Sequence, residues 1–276
     1  MPVFGFGTWQ MGGKEDRNPE NNDEADILAI QQAIEAGITH IDTAERYAGG
    51  YAETLAGVAM QKYPREKLFL ASKVAPYHLR YDDVLTSLDA TLKRLQTTYL
   101  DLYYIHSANP DIPIAETMKA MDKLLEEGLI KNIAVSNFTV ERMKEAQTHT
   151  KNKIVATQVH YNLIFREPER KGVLKYCQEN DIMLVAYRPV QKGLLTSSNN
   201  ELMNELCKKY QKIPSQIAIN WLTSQKNVVT LSKMGSEEHL EENLGAIGWE
   251  MEKEDVEKLD QDFPGQQDVS DSAPLL

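Results

Sequence analysis

Eight short apolar segments, each followed by a stretch with helical character, constrain the fold of this chain more than any other feature. The segments are rich in β-branched and aromatic residues and end abruptly in polar ones, as buried strands do. They lie at residues 3–9, 38–42, 68–73, 100–106, 130–136, 154–161, 183–187 and 228–231. Regular alternation of this kind predicts right-handed β-α-β units and therefore a parallel sheet.

The intervening stretches carry the periodicity of amphipathic helices. Residues 81–95 are the clearest example, because Val84 and the leucines that follow it recur on one helical face. Helices are predicted at 23–36, 51–60, 81–95, 114–127, 140–148, 167–180, 199–211, 214–224, 236–246 and 252–262. The polar residues 13–23 are predicted to form a surface loop.

The number of units and the chain length together favour a closed barrel. A (β/α)8 barrel typically has about 250 residues, and this chain has 276. We therefore predict an α/β fold, a TIM barrel, in one domain over residues 1–276 with a polar tail at about 263–276. An open, doubly wound sheet is the alternative. The tail is expected to form little of any pocket, because it is short and polar.

The composition argues against several classes of function. The formal net charge is −11, so the chain would repel a phosphate backbone, and no nucleic-acid partner is expected. Cys177 and Cys207 have neither disulfide nor metal spacing, and we predict no metal. No segment approaches the roughly 18 apolar residues of a membrane span, and the N-terminus does not read as a signal peptide. These features predict a cytoplasmic protein that does not enter membranes.

Polar residues end the apolar segments and are the first candidates for a site. In a barrel, the carboxyl ends of all strands lie on one rim, where active sites are built. Any one polar residue at a strand end is more often structural than catalytic, so the combination is what matters. The residues are Asp42, Lys73, His106, Ser136 with Asn137, Gln158, Tyr187 and Lys233.

Four of the residues near this rim could act together to deliver a proton to an oxygen. Tyr47 follows Asp42 by five positions, in the loop after the strand. A free phenol with a pKa of about 10 is a poor acid near neutral pH, and a neighbouring ammonium such as Lys73 favours its ionised form. Asp42 could serve as the counter-ion of that lysine, and His106 could orient a substrate oxygen. None of these groups can supply a hydride, so a reduction would need a cofactor.

Short segments along nearly the whole chain resemble the aldo-keto reductase family, in the family's order and spacing. They include G-F-G-T-W at 5–9, H-I-D-T-A-E-R-Y at 40–47, S-K-V at 72–74, D-L-Y-Y-I-H at 101–106, S-N-F at 136–138, Q-V-H-Y-N at 158–162, V-A-Y-R-P at 185–189 and S-K-M-G-S-E-E-H-L-E-E-N at 232–243. The resemblance implies a barrel that binds nicotinamide without a separate dinucleotide-binding domain.

The resemblance also implies roles for individual residues. The catalytic set would be Asp42, Tyr47, Lys73 and His106, with Tyr47 as general acid. The cofactor would be held by Ser136, Asn137 and Gln158 at the carboxamide, Tyr187 on the nicotinamide ring, Gly193, Leu194 and Leu195 across the pyrophosphate, and Lys233, His239, Glu242 and Asn243 at the adenosine. Separately from the resemblance, Trp9, Tyr77, His78 and Asn109 are candidates for the substrate wall beside His106, with a packing or loop role as the alternative for each of the four.

Departures from the family pattern affect the cofactor and the pocket mouth. His239 stands where the family often has Arg, and a bidentate guanidinium grips a phosphate better than an imidazole. Met234 replaces a common Ser. Lys233 remains, so NADPH is expected, with NADH possible. Ser107 and Arg188 stand where many members have Trp and Ser, which predicts a more polar mouth. Arg188 could contact the pyrophosphate, an anionic substrate or only solvent.

The resemblance and the proton-transfer set together imply NAD(P)H-dependent reduction of aldehydes or ketones to alcohols. The expected partner is a small carbonyl compound, and the protein is expected to be a monomer, as the family usually is. One alternative is a regulatory module that binds the cofactor with little turnover. Another is a barrel that acts on sugars or phosphates through paired carboxylates, but Asp42 is the only acidic strand end found.

Overall fold

Eight parallel strands form a closed barrel in which each strand pairs with its neighbours along the chain and the first pairs with the last. This computed structural model describes residues 1–193, 195, 200–263, 270 and 272–276. The strands are β1 (Phe4–Gly7), β2 (His40–Asp42), β3 (Phe69–Val74), β4 (Leu102–Ile105), β5 (Ile133–Ser136), β6 (Ile154–His160), β7 (Met183–Tyr187) and β8 (Val228–Ser232). The predicted TIM barrel is confirmed, and the open sheet is wrong.

Helices surround the barrel and follow the predicted order. They are α1 (Asp23–Glu35), α2 (Tyr51–Met60), α3 (Tyr81–Leu95), α4 (Ile114–Glu126), α5 (Val140–Thr148), α6 (Glu167–Arg170), α7 (Val173–Glu179), α8 (Glu201–Tyr210), α9 (Pro214–Thr223), α10 (Glu237–Leu244) and α11 (Lys253–Asp262). Across the described part of the chain, none of the helices is both long and apolar enough to traverse a bilayer.

One predicted helix is divided in the structure. The stretch 167–180 forms α6 and α7, separated by Lys171 and Gly172. Gly172 has a φ of 72° and precedes the first residue of α7. This left-handed conformation interrupts a helix and is easily adopted by glycine, so the single predicted helix was wrong.

Alanines together with larger apolar side chains fill the interior of the barrel below the rim. A cluster separate from the main core contains Ala71, Leu102, Tyr104, Ala134, Ala156, Val185, Val229 and Leu231. Side chains two positions apart on a strand point to the same face, so Lys73 shares the inward face of Ala71. Gly7, Asp42 and Ala71 are aligned across β1, β2 and β3. The carboxylate of Asp42 therefore enters the barrel next to Lys73.

The last residues return to the barrel rim. The backbone N–H of Leu276 donates to the carbonyl oxygen of Asn137 at 2.9 Å, and the N–H of Thr139 donates to that of Leu276 at 2.9 Å. The side chain of Leu275 is buried. These contacts attach residues 272–276 to the loop that follows β5.

Candidate active site

A buried ion pair lies at the carboxyl ends of β2 and β3. The ammonium of Lys73 donates to Oδ1 of Asp42 and to the carbonyl oxygen of Thr43, the latter at 2.7 Å. Both charged side chains are almost completely removed from solvent. Burial acts to lower the pKa of Lys73, but the charges of Asp42 and Tyr47 outweigh it and the net pKa is raised. The lysine is therefore an ammonium near neutral pH.

The phenol of Tyr47 reaches this ion pair. Its Oη lies 3.4 Å from Nζ of Lys73, and its ring is half-buried. Burial raises the pKa of Tyr47 above its ordinary value, while the charge of Lys73 acts to lower it. The ammonium of Lys73 was predicted to favour the ionised phenol, and its charge does act to lower the pKa of Tyr47. The effect of burial on this pKa is larger, so the net pKa is raised. Tyr47 therefore carries its proton near neutral pH, as a proton donor must.

Two aromatic rings flank the phenol. The ring of His106 meets that of Tyr47 edge-on at 5.6 Å between centroids, and the indole of Trp9 does so at 4.9 Å. Burial, followed by the charges of Lys73 and Arg46, holds the pKa of His106 well below its ordinary value. A neutral imidazole can donate a hydrogen bond to a substrate oxygen without carrying charge.

A cavity of about 1240 Å³ opens above these groups. Ligand pockets commonly measure about 300–1,000 Å³, so this one has room for more than a single small ligand. Lys73 lies beneath the cavity rather than in its wall. The predicted residues that line it are Trp9, Asp42, Tyr47, His106, Ser136, Asn137, Gln158, Tyr187, Arg188, Gly193, Lys233, His239, Glu242 and Asn243.

Three predicted carboxamide residues form one hydrogen-bonded group in the wall of this cavity. The side-chain amide of Asn137 donates to the carbonyl oxygen of His106 at 3.1 Å and to Oγ of Ser136 at 3.0 Å. Ser136 donates in turn to the carbonyl oxygen of Gln158 at 2.9 Å. The phenol of Tyr187 donates to Oδ1 of Asn137 at 3.1 Å. These bonds fix the amide side chain of Asn137 at the centre of the group.

Two residues in the same wall have an uncommon backbone conformation. Asn137 and Arg188 directly follow β5 and β7, and each has a φ of 60°. Non-glycine residues in the left-handed region are uncommon and cluster at functional sites. The ring of Tyr187 stacks on His160, with centroids 5.4 Å apart and planes 13° apart. The structure therefore holds Tyr187 in a defined orientation beside Asn137.

The opposite end of the cavity is lined by Lys233, His239, Glu242 and Asn243. Lys233 and His239 are exposed, and the ammonium of Lys233 makes a 3.4 Å contact with the carbonyl oxygen of Gln10. Met234 is buried and does not line the cavity. Of the predicted pyrophosphate residues, Gly193 lines the cavity, Leu195 is buried without lining it, and Leu194 lies outside the described residues.

Three predicted substrate residues do not line the cavity. Tyr77 is 56% exposed. The imidazole of His78 pairs with the carboxylate of Glu45 at 2.8 Å. The side-chain amide of Asn109 donates to the carbonyl oxygen of Pro76 at 2.9 Å. Trp9 and His106 are therefore the predicted wall residues that the structure brings to the phenol.

Two parts of the lining were missed from the sequence. The tail was expected to form little of the pocket, but Ser272 and Ala273 line it. This contribution is small, and it arises because Leu275 is buried and Leu276 is hydrogen-bonded to the loop after β5, which holds the polar residues before them at the rim. The predicted surface loop at 13–23 also contributes Lys14 and Glu15, and nothing in its polar composition indicated this.

Among the residues that the structure describes, no three or more His, Cys, Asp or Glu side chains are placed to hold an ion. The titratable groups gathered at the base of the cavity are the phenol of Tyr47, the ammonium of Lys73, the carboxylate of Asp42 and the imidazole of His106.

Comparisons with known proteins identify the family. The sequence profile of the Aldo/keto reductase family matches residues 3–262. The chain is 34% identical to methylglyoxal reductase YeaE of Escherichia coli (strain K12), covering 96% of this chain and 92% of that protein. It superposes with a TM-score of 0.91 on the thermostable aldo-keto reductase Tm1743, solved with the inhibitor epalrestat, at 44% identity and 95% coverage of both chains. An aldo-keto reductase from Klebsiella pneumoniae, solved with NADPH, gives a TM-score of 0.88 at 30% identity, covering 98% of this chain and 95% of that one. The chain therefore belongs to the aldo/keto reductase family.

Proposed function

We propose that this protein reduces aldehydes or ketones to alcohols with NADPH. The observation that carries the proposal is the position of the Tyr47 phenol, 3.4 Å from an ammonium that is itself held by a buried carboxylate. A carbonyl oxygen that gains negative charge needs a nearby proton and a nearby positive charge. Tyr47 and Lys73 supply these two features at one point of the cavity wall.

Each of the four residues has a distinct role in this proposal. Tyr47 is the general acid that gives its proton to the carbonyl oxygen. Lys73 stabilises the phenolate that remains, because its charge lies next to that oxygen. Asp42 keeps Lys73 charged in a site that excludes water. His106, as a neutral imidazole, donates a hydrogen bond to the substrate oxygen and orients it.

The cavity fits a nicotinamide dinucleotide. When bound, the nicotinamide supplies the hydride that none of the side chains can provide. We propose that Ser136, Asn137 and Gln158 hold its carboxamide and that the ring of Tyr187 lies against the nicotinamide. The backbone at Gly193 and the predicted neighbours Leu194 and Leu195 would follow the pyrophosphate. The rest of the cofactor would be held by Lys233, His239, Glu242, Asn243 and Arg188.

NADPH is the proposed cofactor, with NADH as a possible substitute. Lys233 is exposed, and its 3.4 Å contact with the carbonyl oxygen of Gln10 is long enough to be exchanged for one with a 2′-phosphate. The Klebsiella pneumoniae relative was solved with NADPH, which supports the same choice here. His239 offers a weaker phosphate contact than an arginine would, so discrimination against NADH should be modest.

The proposed substrates are small carbonyl compounds. Trp9 and His106 form the wall beside Tyr47, and the name of the Escherichia coli relative, methylglyoxal reductase, points to the same class. We further propose a cytoplasmic monomer that binds neither nucleic acid nor membranes. The net charge of −11 argues against nucleic acid, the two unpaired cysteines suit a reducing compartment, and the monomer follows only from the resemblance to the family.

Mixing the protein with NADPH and either methylglyoxal or a reactive aromatic aldehyde tests the function. Loss of NADPH absorbance with formation of the alcohol is expected for the wild type. Tyr47→Phe should bind NADPH, measured by fluorescence quenching, but turn over far more slowly. Tight NADPH binding without turnover of any aldehyde would instead support a regulatory module.

A further inference from the structure

We propose that Arg46 selects carbonyl substrates that carry a carboxylate or a similar anion in addition to the reacting carbonyl. This rests on the proposed reduction and names the class of substrate for it. Arg46 immediately precedes Tyr47 and lines the same cavity. It therefore places a guanidinium beside the position where a carbonyl would meet the phenol.

The charge of Arg46 acts on the groups that would surround the substrate. It contributes to the lowered pKa of His106 and opposes the raised pKa of Tyr47. Both effects have the sign expected of a nearby positive charge. An anion bound to Arg46 would therefore lie within electrostatic range of the proposed catalytic groups.

Glu45, the carboxylate that directly precedes Arg46 in the chain, is bound by other residues. Glu45 accepts hydrogen bonds from the backbone N–H of Ala75 at 2.8 Å and from Oγ of Ser87 at 3.0 Å, and it pairs with His78. These contacts fix Glu45 against the segment that follows β3. Glu45 is therefore engaged away from Arg46, whose side chain lines the cavity.

Arg46 already binds a carboxylate that can be displaced. Its guanidinium lies 2.6 Å from Oε1 of Glu15, and the two side chains are 41% and 63% exposed. A pair this exposed is weak, because water screens it and both side chains lose freedom in forming it. A substrate carboxylate could replace Glu15 at small cost, and the planar guanidinium matches carboxylate geometry.

The loop that carries Glu15 is held in place by its backbone. Gly13 has a φ of +139°, and a Cβ there would lie 2.1 Å from the carbonyl oxygen of Asp16. The N–H of Asn18 donates to the carbonyl oxygen of Gly12 at 2.8 Å. Glu15 therefore stays at the mouth and competes there with incoming anions.

The surroundings of Arg46 also favour an anion. Although the whole chain carries a charge of −11, Lys14 lines the same cavity, and the described lining carboxylates other than Glu15 are Asp42, which is paired with Lys73, and Glu242 at the proposed adenosine end. Ser107 lines it next to His106, so this side of the mouth is polar. Of the cationic residues in the wall, Arg46 is the one adjacent in sequence to the proposed general acid.

A matched pair of aldehydes tests the proposal. The substrates are para-formylbenzoate and its methyl ester, which differ at the anionic group and share the reacting carbonyl. The quantity measured is the ratio of kcat/KM for the acid to that for the ester, at low ionic strength. Arg46→Gln should lower the ratio about tenfold, and Arg46→Lys should lower it less. Glu15→Gln should raise the ratio, because it removes the competing carboxylate.

Lys14→Gln is the control for a general field effect, because it removes an equal charge from the same mouth. The proposal predicts that the acid-to-ester ratio of kcat/KM falls much less in Lys14→Gln than in Arg46→Gln. Equal losses in the two variants, or an unchanged ratio in Arg46→Gln, would overturn it. Binding of benzoate measured by quenching of tryptophan fluorescence should weaken in Arg46→Gln in parallel. If the wild type reduces neither the acid nor the ester, the proposed function fails; if it reduces both with equal kcat/KM, only the anion preference fails.

Discussion

The side-chain amide of Gln158 donates a 2.8 Å hydrogen bond to Oδ2 of Asp42, while Oδ1 of the same carboxylate accepts from Lys73. Gln158 and Asp42 are 116 positions apart in the chain and meet on the barrel rim. Both oxygens of the buried carboxylate are therefore held. The bond joins the proposed carboxamide group to the proposed proton-transfer group.

Gln158→Met is predicted to weaken both folding and activity. Removing the donor leaves Oδ2 of Asp42 buried without this partner, which should cost about 1–3 kcal/mol of unfolding free energy. Urea denaturation and kcat/KM for an aldehyde are the measurements. Gln31→Met is the matched control, because Gln31 is a buried amide that does not line the cavity and should affect stability alone. Wild-type stability and turnover in Gln158→Met would show that the hydrogen bond from Gln158 to Asp42 supports neither folding nor activity.

Lys73→Met should be strongly destabilising. It leaves the carboxylate of Asp42 buried without its counter-ion, a change that typically costs about 3–5 kcal/mol. The double variant Asp42→Asn, Lys73→Met removes both charges and should recover much of that loss. It should not recover turnover, because no ammonium then faces Tyr47. Recovery of activity along with stability would show that the pair is only structural.

The acid sensitivity of folding is predicted to depend on His40. Its imidazole is fully buried, and within the described chain neither ring nitrogen has a hydrogen-bond partner. Burial lowers the pKa of His40 to about 4. The unfolded chain therefore binds a proton below a pH of about 6.5, whereas the folded chain does so only near pH 4, and stability falls as the pH drops through that window.

His40→Leu should reduce this sensitivity. We expect the wild type to lose about 2 kcal/mol more than the variant between about pH 7 and pH 5. Urea denaturation at the two pH values measures the difference. The comparison uses the change with pH, so any constant repacking cost of the leucine cancels. Equal pH dependence in the two proteins would mean that His40 is protonated in the folded state.

Deletion of residues 272–276 should weaken NADPH binding. The segment holds the backbone of Asn137 through Leu276 and places Ser272 in the cavity wall. The loss should be roughly tenfold in Kd, equivalent to one or two hydrogen bonds. Leu275→Ala keeps the backbone contacts and should have a smaller effect. A deletion variant with wild-type affinity would show that the tail only covers the rim.

The alternation of apolar strands and helices was sufficient to predict the barrel, because each strand end carries a local signal. The same signal located Asp42, Lys73 and His106, since the rim position follows from the strand boundaries alone. The interruption between α6 and α7 at Gly172 is a local feature, but it depends on a backbone conformation that the spacing of apolar residues does not reveal. The return of the tail and the approach of Glu15 to Arg46 depend on contacts between distant segments, which no local pattern encodes.

Carbonyl reduction by this protein is proposed to depend above all on a proton from the phenol of Tyr47. Tyr47→Phe keeps the ring that packs on Trp9 and His106 and removes only the oxygen beside Lys73. Single-turnover reduction of an aldehyde by the NADPH-loaded variant is the direct measurement. The account predicts a rate about 10²–10⁴-fold below that of the wild type, with NADPH still bound. A wild-type rate in Tyr47→Phe would contradict it.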